Sequence, residues 1–178
     1  LWKNYLDQMQ ESWIGFCQYR KFWSAEKNNL LPNSLKQLKA TILNEIPKSY
    51  ENFDVILGEP HFTNQLKIMK FLKKGFKLIA KKPSYLLDSS KRNIKFHFDL
   101  MHGQHNLDRA IQFLDNDNRK DFKHFVNSNN SFNPYNMFIC KSKRILSDYY
   151  STVFPWLKRC EQEFGFENLD GYGKIRIY

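Results

Sequence analysis

Cysteine is scarce in this chain and never occurs in close pairs. The sequence contains three, Cys17, Cys140 and Cys160, and two of them lie inside apolar runs. An odd number of widely spaced cysteines argues against a disulfide framework and against a structural zinc site. The pattern predicts reduced, buried thiols in a cytoplasmic protein.

Long apolar runs and glycine-rich loops are also missing. No run approaches the roughly 18 residues that a membrane-spanning helix needs, and no signal peptide is visible. The 7 glycines form no phosphate-binding loop, and no Ser-His-Asp, Cys-His or paired-cysteine signature occurs. These absences argue against hydrolase, kinase and zinc-finger functions.

Acidic residues are outnumbered by basic ones. There are 28 Lys and Arg against 18 Asp and Glu, which gives a net charge of +10. Such an excess favours phosphate-rich partners, whether nucleic acid, anionic lipid headgroups or nucleotide diphosphates, and does not choose among them. A length of 178 residues with 42% hydrophobic content is enough to bury a core. A single domain over residues 1–178 is therefore predicted.

Helix and strand periodicities alternate along the chain. Capping signals mark several helix ends: Ser34 with Gln37 at one start, Ser142 at another, and Gly165 after a last turn. Strands are predicted at residues 13–17, 53–57, 135–140 and 175–178, and helices at residues 35–46, 63–82, 106–114, 121–126 and 142–164. This alternation predicts an α/β fold with a layered sheet.

The predicted helix at residues 63–82 is strongly basic. Its lysines cover a broad face opposite an apolar stripe. One interpretation is an ordinary solvated face. The other is a helix lying on an anionic membrane surface, where each cation adds about 1 kcal/mol to binding. On the second interpretation, replacing these lysines with glutamine weakens binding to anionic vesicles at low salt.

Two cations follow the first predicted strand at once. Arg20 and Lys21 come after the apolar residues 13–17 and stand beside Tyr19, with further aromatic residues at 22–23. Ligands of open α/β sheets bind where strands end. A guanidinium fork matches phosphate oxygens and an ammonium adds a point charge, so the pair suits a nucleotide diphosphate. The alternative is a solvated strand end with ordinary cations.

Amides and imidazoles supply further candidates. Asn136 opens the third predicted strand, where its amide can face the hydroxyl groups of a ligand or satisfy a local turn. Imidazoles and carboxylates crowd residues 97–108, where they are suited to divalent-cation binding or acid–base chemistry. The alternative is a polar loop with a helix cap at Asn106. The members of this group are His97, Asp99, His102, His105 and Asp108.

Several segments together resemble one bacterial family. Residues 14–23 resemble its Ile-Gly-Leu-Cys-His-Tyr-Arg-Arg-Tyr-Phe signature, residues 53–57 its Tyr-Asp-Val-Ile-Leu-Pro strand, and residues 136–141 its Asn-Met-Phe-Ile-Met-Lys strand. Residues 1–4 and 173–178 match its first and last motifs in the same order. The family comprises capsular polysaccharide or exopolysaccharide biosynthesis proteins, formally a domain of unknown function and regarded as glycosyltransferase-like.

This chain also departs from the family pattern. Gln18 stands where the signature has histidine, and the segment after Gly58 up to His102 does not align. The family pattern starts before Leu1 and continues past Tyr178. We therefore expect a fragment that lacks the first strand of the sheet.

The resemblance implies a GT-A-like layered sheet flanked by helices. It implies transfer of a sugar from a nucleotide diphosphate to an acceptor hydroxyl on a saccharide or a lipid-linked molecule, in the cytoplasm or at the inner face of the membrane. Galactofuranose is one sugar that it suggests. Its histidine followed by Asp-Leu implies a catalytic role for His105 or His102 with Asp108. The residues expected to bind substrate are Tyr19, Arg20, Lys21 and Asn136. The carboxylates left open as the base of an inverting transfer are Asp54, Asp108, Glu167 and Asp170.

The sequence does not identify a cofactor. Asp115-Asn116-Asp117 spells the Asp-x-Asp with which many glycosyltransferases hold Mn²⁺ or Mg²⁺. That motif belongs at the end of a core strand, whereas this one follows a helix in an asparagine-rich loop. No metal ligand is therefore assigned, and Arg20 and Lys21 are the groups that would neutralise the leaving diphosphate.

Two rival functions belong to other classes. A nucleic-acid-binding module would explain the charge and the interleaved aromatics, but the lysines concentrate on one helix and no helix-turn-helix or ribonucleoprotein motif occurs. A non-catalytic scaffold that binds other polysaccharide enzymes is the second rival. Steep salt dependence with generic oligonucleotides would favour the first, and no response to any ligand the second.

Overall fold

The computed structural model of the chain describes residues 4–19, 21–24, 32–65, 80 and 83–165. These residues form a mixed α/β fold, as predicted. The strands are β1 (Ile14–Gly15), β2 (Val55–Leu57), β3 (His61–Phe62), β4 (Ser131–Phe132) and β5 (Phe138–Cys140). The α-helices are α1 (Leu35–Thr41), α2 (Ser84–Leu87), α3 (Ile94–His102), α4 (Asn106–Gln112), α5 (Asn116–Ser128) and α6 (Lys143–Phe164).

The chain divides into two compact units. The first unit comprises Leu1–Glu59 and Asn133–Ser151, and the second comprises Pro60–Phe132 and Thr152–Tyr178. A compact unit is not by itself an independently folding domain. The single domain over residues 1–178 therefore stays a prediction.

The first unit contains a three-stranded sheet in the order β1-β5-β2. The central strand β5 is antiparallel to both neighbours and pairs Cys140 with Ile14 on one side and with Val55 on the other. All its residues are buried, which explains why it reads as one continuous apolar run. Since β5 opposes both neighbours, β1 and β2 run in the same direction. Their carboxyl ends flank the amino end of β5.

The strands are shorter than the apolar runs that predicted them. Residues 13–17 were expected to form one strand, but β1 covers only Ile14–Gly15. Beyond it the Phe16 amide still donates to the Phe138 carbonyl at 3.0 Å, so the two chains stay side by side. Composition marks which residues become buried, whereas the length of a strand depends on where its partner's backbone remains within hydrogen-bonding distance.

Helix α6 closes the core of the first unit. Leu146 is fully buried there and packs with Leu6, Ile14, Phe138 and Cys140. In the second unit, α3, α4 and α5 pack through Ile94, Leu107, Ile111 and Val126. The end of α6 belongs to this unit, where Cys160 and Phe164 pack on Ala110 of α4.

Helix ends follow their capping residues. The Ser34 side chain accepts from the Gln37 amide, so the predicted cap forms, whereas the Gln37 side chain accepts from the Asn33 amide and not from the Ser34 amide that a capping box uses. Ser142 accepts from the Ile145 amide at the start of α6. After its last turn Gly165 takes a positive φ of 67°, which suits glycine.

Thr63, the predicted start of the basic helix, lies fully buried in a short 3-10 turn, Thr63–Gln65, and its hydroxyl donates to the carbonyls of Arg92 and Asn130. Residues 66–79 and 81–82, which carry most of the predicted helix and its lysines, lie outside the described residues. Residues 175–178 also lie outside them.

Gly15 is tightly packed against the central strand. A Cβ atom built there would lie 3.2 Å from Ile139 Cγ1, whereas one at Gly58 meets nothing within 4 Å. We expect Gly15→Val to lower the free energy of unfolding by about 1–3 kcal/mol, because the branched side chain overpacks the sheet. Gly58→Val should change it by less than about 0.5 kcal/mol. Urea unfolding of both variants tests this, and equal stability would contradict the close packing.

Candidate functional site

The end of the first sheet brings together residues that follow β1 and precede β5. Gln18 Nε2 donates to Asn136 Oδ1, and the Lys21 ammonium lies 2.8 Å from the centroid of the Tyr135 ring. We call Gln18, Tyr19, Lys21, Tyr135 and Asn136 the strand-end cluster. It stands where the carboxyl ends of β1 and β2 flank the amino end of β5.

A turn separates Lys21 from the strand. The cations were expected directly at the end of a strand over residues 13–17, but the Lys21 amide donates to the Gln18 carbonyl at 3.0 Å. This turn sends Lys21 back over Tyr135. Arg20, the other predicted cation, lies outside the described residues, as do Glu167 and Asp170.

The aromatic residues of this segment have different surroundings. Tyr19 is 84% exposed and Phe22 is 55% exposed, so both present ring surface to solvent. Trp23 instead turns back towards β1, where its indole N–H donates to the Phe16 carbonyl at 2.9 Å. This hydrogen bond therefore ties Trp23 to the residue that follows β1.

Lys21 and Asn136 keep polar groups available at the surface. Asn136 is exposed, and no described carboxylate lies within ion-pair distance of Lys21. A cation on an aromatic face is oriented by the ring and retains N–H bonds that point away from it. The cluster thus offers an oriented positive charge beside paired amide groups, which suits an anionic ligand that also carries hydroxyls.

A second polar cluster lies in the second unit. Lys95 of α3 contacts Asp99 Oδ2 at 2.9 Å and Asp108 Oδ2 of α4 at 2.8 Å. His105 Nδ1 lies 3.6 Å from the same Asp108 oxygen. We call Lys95, Asp99, His105 and Asp108 the lysine–carboxylate cluster.

Burial and ion pairing shift the pKa of Lys95 in opposite directions. Partial burial disfavours its charged form, but the hydrogen bonds that the Lys95 ammonium donates to Asp108 and Asp99 outweigh this effect and raise the pKa of Lys95. Both carboxylates thereby share one fixed cation. A proton placed on Asp108 would weaken its ion pair with Lys95.

The two predicted catalytic residues, His105 and Asp108, lie side by side but differ in exposure and in their contacts. His105 lies between α3 and α4 with a left-handed φ of 68°, and its side chain is 80% exposed. Asp108 sits in the first turn of α4. The contact of 3.6 Å between His105 and Asp108 is longer than a hydrogen bond, whereas Lys95 holds Asp108 at 2.8 Å.

The Asp-x-Asp sequence marks a helix start. Asp115 is the N-cap of α5, and its carboxylate accepts from the Asn118 amide at 3.0 Å. This hydrogen bond lowers the pKa of Asp115. Among the described residues, no group of three or more His, Cys, Asp or Glu side chains is arranged to hold a metal ion.

The predictions on cysteines and on membrane-spanning helices can also be compared with the structure. Cys140 and Cys160 are buried free thiols, and burial raises the pKa of each, whereas Cys17 is exposed. Within the described part of the chain, no helix has both the length and the apolar character needed to cross a bilayer.

Sequence reasoning missed Lys95 and Gln18 as members of these clusters. Lys95 and Asp99 stand four residues apart, a spacing that favours an ion pair on a helix once α3 is recognised. Gln18 meets Asn136 through a cross-strand register, for which a single sequence carries no direct signal.

The chain is therefore an α/β protein with a cation-and-amide cluster at the end of two strands that run in the same direction. It belongs to the family described as domain of unknown function DUF4422, whose profile matches residues 1–178. Searches of curated proteins and of solved structures returned no significant match.

Proposed function

We propose that this chain is a glycosyltransferase-like domain of bacterial capsular or exopolysaccharide synthesis. It would bind a nucleotide-diphosphate sugar and transfer the sugar to an acceptor hydroxyl. The single observation that carries this proposal is the strand-end cluster, in which Lys21 is oriented on Tyr135 beside the Gln18–Asn136 pair.

The position of the cluster supports ligand binding. In open α/β sheets, ligands bind beyond the carboxyl ends of strands, because the chain leaves the sheet there and several loops converge. Here the chain leaves both β1 and β2 at this edge, and Asn133 Nδ2 donates to the Gly58 carbonyl at 2.6 Å, which ties the segment after β2 to the segment before β5.

The charge of the cluster supports a diphosphate. During sugar transfer, the bond between the anomeric carbon and the phosphate oxygen breaks, and the diphosphate leaves with the electron pair. A nearby ammonium stabilises that developing charge. Lys21 has the required charge, and the overall excess of +10 attracts phosphate-bearing ligands.

The acceptor hydroxyl must lose its proton as its oxygen attacks the anomeric carbon. The family resemblance assigns acid–base chemistry to His105 and Asp108. Within their own unit, Asp108 Oδ2 lies 3.6 Å from His105 Nδ1, which leaves Nε2 as the ring nitrogen that would take up a proton. Cytoplasmic placement at the inner face of the membrane, a lipid-linked acceptor and a GT-A-like sheet belong to the same proposal.

Calorimetry with nucleoside diphosphates and their sugars tests the proposal on this protein. Lys21→Met should weaken binding of the tightest-binding diphosphate roughly tenfold, since a charge-assisted contact contributes about 1.5–3 kcal/mol and part of it is screened at the surface. Lys39→Met is the matched control, because Lys39 is an exposed lysine of α1 in the same unit.

Three outcomes would contradict the proposal. Equal affinity of the wild type and Lys21→Met would remove Lys21 from the site. Salt-dependent binding of generic oligonucleotides, without response to any nucleoside diphosphate, would favour the nucleic-acid-binding function instead. Absence of any ligand response would favour the scaffold.

A further inference from the structure

The Gln18–Asn136 pair continues the pairing of β1 with β5 beyond the strands. In this register Gly15 stands opposite Ile139, so three residues further along each chain Gln18 stands opposite Asn136. At this position the Gln18 and Asn136 side chains are joined by an amide–amide hydrogen bond. The turn that begins at Gln18 and the buried strand that begins at Phe138 hold the two backbones on either side.

The pair presents alternating donors and acceptors. A primary amide has two N–H donors and a carbonyl with two lone pairs. After the bond between them, Gln18 retains one N–H and its carbonyl, while Asn136 retains both N–H groups and one lone pair. Neighbouring donors and acceptors match the hydroxyls of a sugar, because each hydroxyl can both donate and accept.

The same pair is a poor match for phosphate. A phosphate oxygen only accepts hydrogen bonds, so the Gln18 carbonyl would face another acceptor. Lys21 has only donors and carries the positive charge that a phosphate needs. The cluster therefore contains two chemically different parts, a cation and an amide pair, in adjoining positions.

We infer that Gln18 and Asn136 bind the hydroxyls of the transferred sugar and determine which sugar is accepted, whereas Lys21 binds the diphosphate. This inference rests on the proposed function. The hydrogen bond between the two amides holds both in place before the ligand arrives, which reduces the entropy lost on binding. Tyr19, at 84% exposure, offers an aromatic face to the apolar side of the sugar ring.

The test compares a nucleoside diphosphate with its sugar conjugates on this protein. Calorimetry with UDP, UDP-glucose and UDP-galactose, and with GDP and GDP-mannose, first identifies the base that binds. Gln18→Leu and Asn136→Leu should each weaken the preferred nucleotide sugar about tenfold and the free diphosphate less than about twofold, since the amides contact only the sugar.

Two further variants sharpen the comparison. Gln10→Leu, at an exposed glutamine of the same unit, should leave both affinities unchanged. Lys21→Met should weaken the diphosphate and its conjugate together.

The possible results distinguish a failure of the proposed function from a failure of this inference alone. If no nucleoside diphosphate binds, the proposed function and this inference are both overturned. If the diphosphate binds normally and the amide variants weaken it as much as its conjugate, the amides contact the base or ribose and the inference alone is overturned. Unchanged affinity for the conjugate in Gln18→Leu and Asn136→Leu would also overturn it alone.

Discussion

Leu146→Ala should lower the free energy of unfolding by about 3 kcal/mol, within a range of about 2–5 kcal/mol for buried leucines. Leu146 has no exposed surface and fills the space between α6 and the first sheet, where it packs with Ile14 and Phe138. Truncation removes apolar contact area and leaves a cavity that the rigid central strand cannot fill.

Leu35→Ala is the matched control for that experiment. Leu35 lies in the same unit at the start of α1 and is 72% exposed, so its truncation should change the free energy of unfolding by less than about 0.5 kcal/mol. Urea unfolding followed by far-ultraviolet circular dichroism and tryptophan fluorescence measures both variants. A loss below about 1 kcal/mol in Leu146→Ala would contradict the packing described for α6.

Lys95→Met should lower the free energy of unfolding by about 2–3 kcal/mol, less than the 3–5 kcal/mol typical of a fully buried ion pair. The substitution leaves Asp99 and Asp108 facing one another without the cation that both contact at 2.8–2.9 Å. Lys91→Met is the control, because its ion pair with Asp88 spans 3.7 Å and is about half exposed, so its loss should cost less than about 0.5 kcal/mol.

The effect of Lys95→Met on the free energy of unfolding should also depend on pH. The pKa of Lys95 is raised above its ordinary value of 10.5, so the folded state holds this proton more tightly than the unfolded state. The stabilisation is fully present below the ordinary value of 10.5 and is lost as pH rises through the folded-state pKa. The difference between the wild type and Lys95→Met should therefore shrink above that pH.

Chemical unfolding at several pH values between 7 and about 11.5 measures this difference. Other groups that titrate at high pH, such as Tyr149 and Tyr150, are present in both proteins and cancel in the comparison. A second variant, Lys95→Met with Asp108→Asn, should recover part of the lost stability by removing one uncompensated carboxylate. A constant difference across the pH range would contradict the assigned role of Lys95.

Local capping signals predicted several helix ends, although α1 ends at Thr41 and not at residue 46 as expected. Ser34 and Ser142 cap their helices and Gly165 ends α6, because a capping side chain acts on amides within three residues and needs no distant partner. The start of α5 at Asp115 was missed because this asparagine-rich stretch was interpreted as a loop, although aspartate is a common N-cap residue.

The ligand-binding roles of the candidate site residues stay predictions. Lys21 and Asn136, singled out by residue type and strand position, each contact a residue of the strand-end cluster, and Tyr19 lies two residues before Lys21. Their partners Gln18 and Tyr135 were not included, since the contacts join residues more than 100 positions apart. Asp108 and His105 are adjacent as their spacing indicates, but Lys95, which holds Asp108, comes from the preceding helix.

By itself, the sequence determined the α/β class, the helix boundaries set by local capping, and the positive charge. Only the tertiary structure decided that β5 lies between β1 and β2, and hence that Gln18 meets Asn136 and Lys21 covers Tyr135. The physical reason is the range of the interactions. Capping and periodicity act within a few residues, whereas strand order and register depend on long-range pairing in which the burial of one face selects among many alternatives.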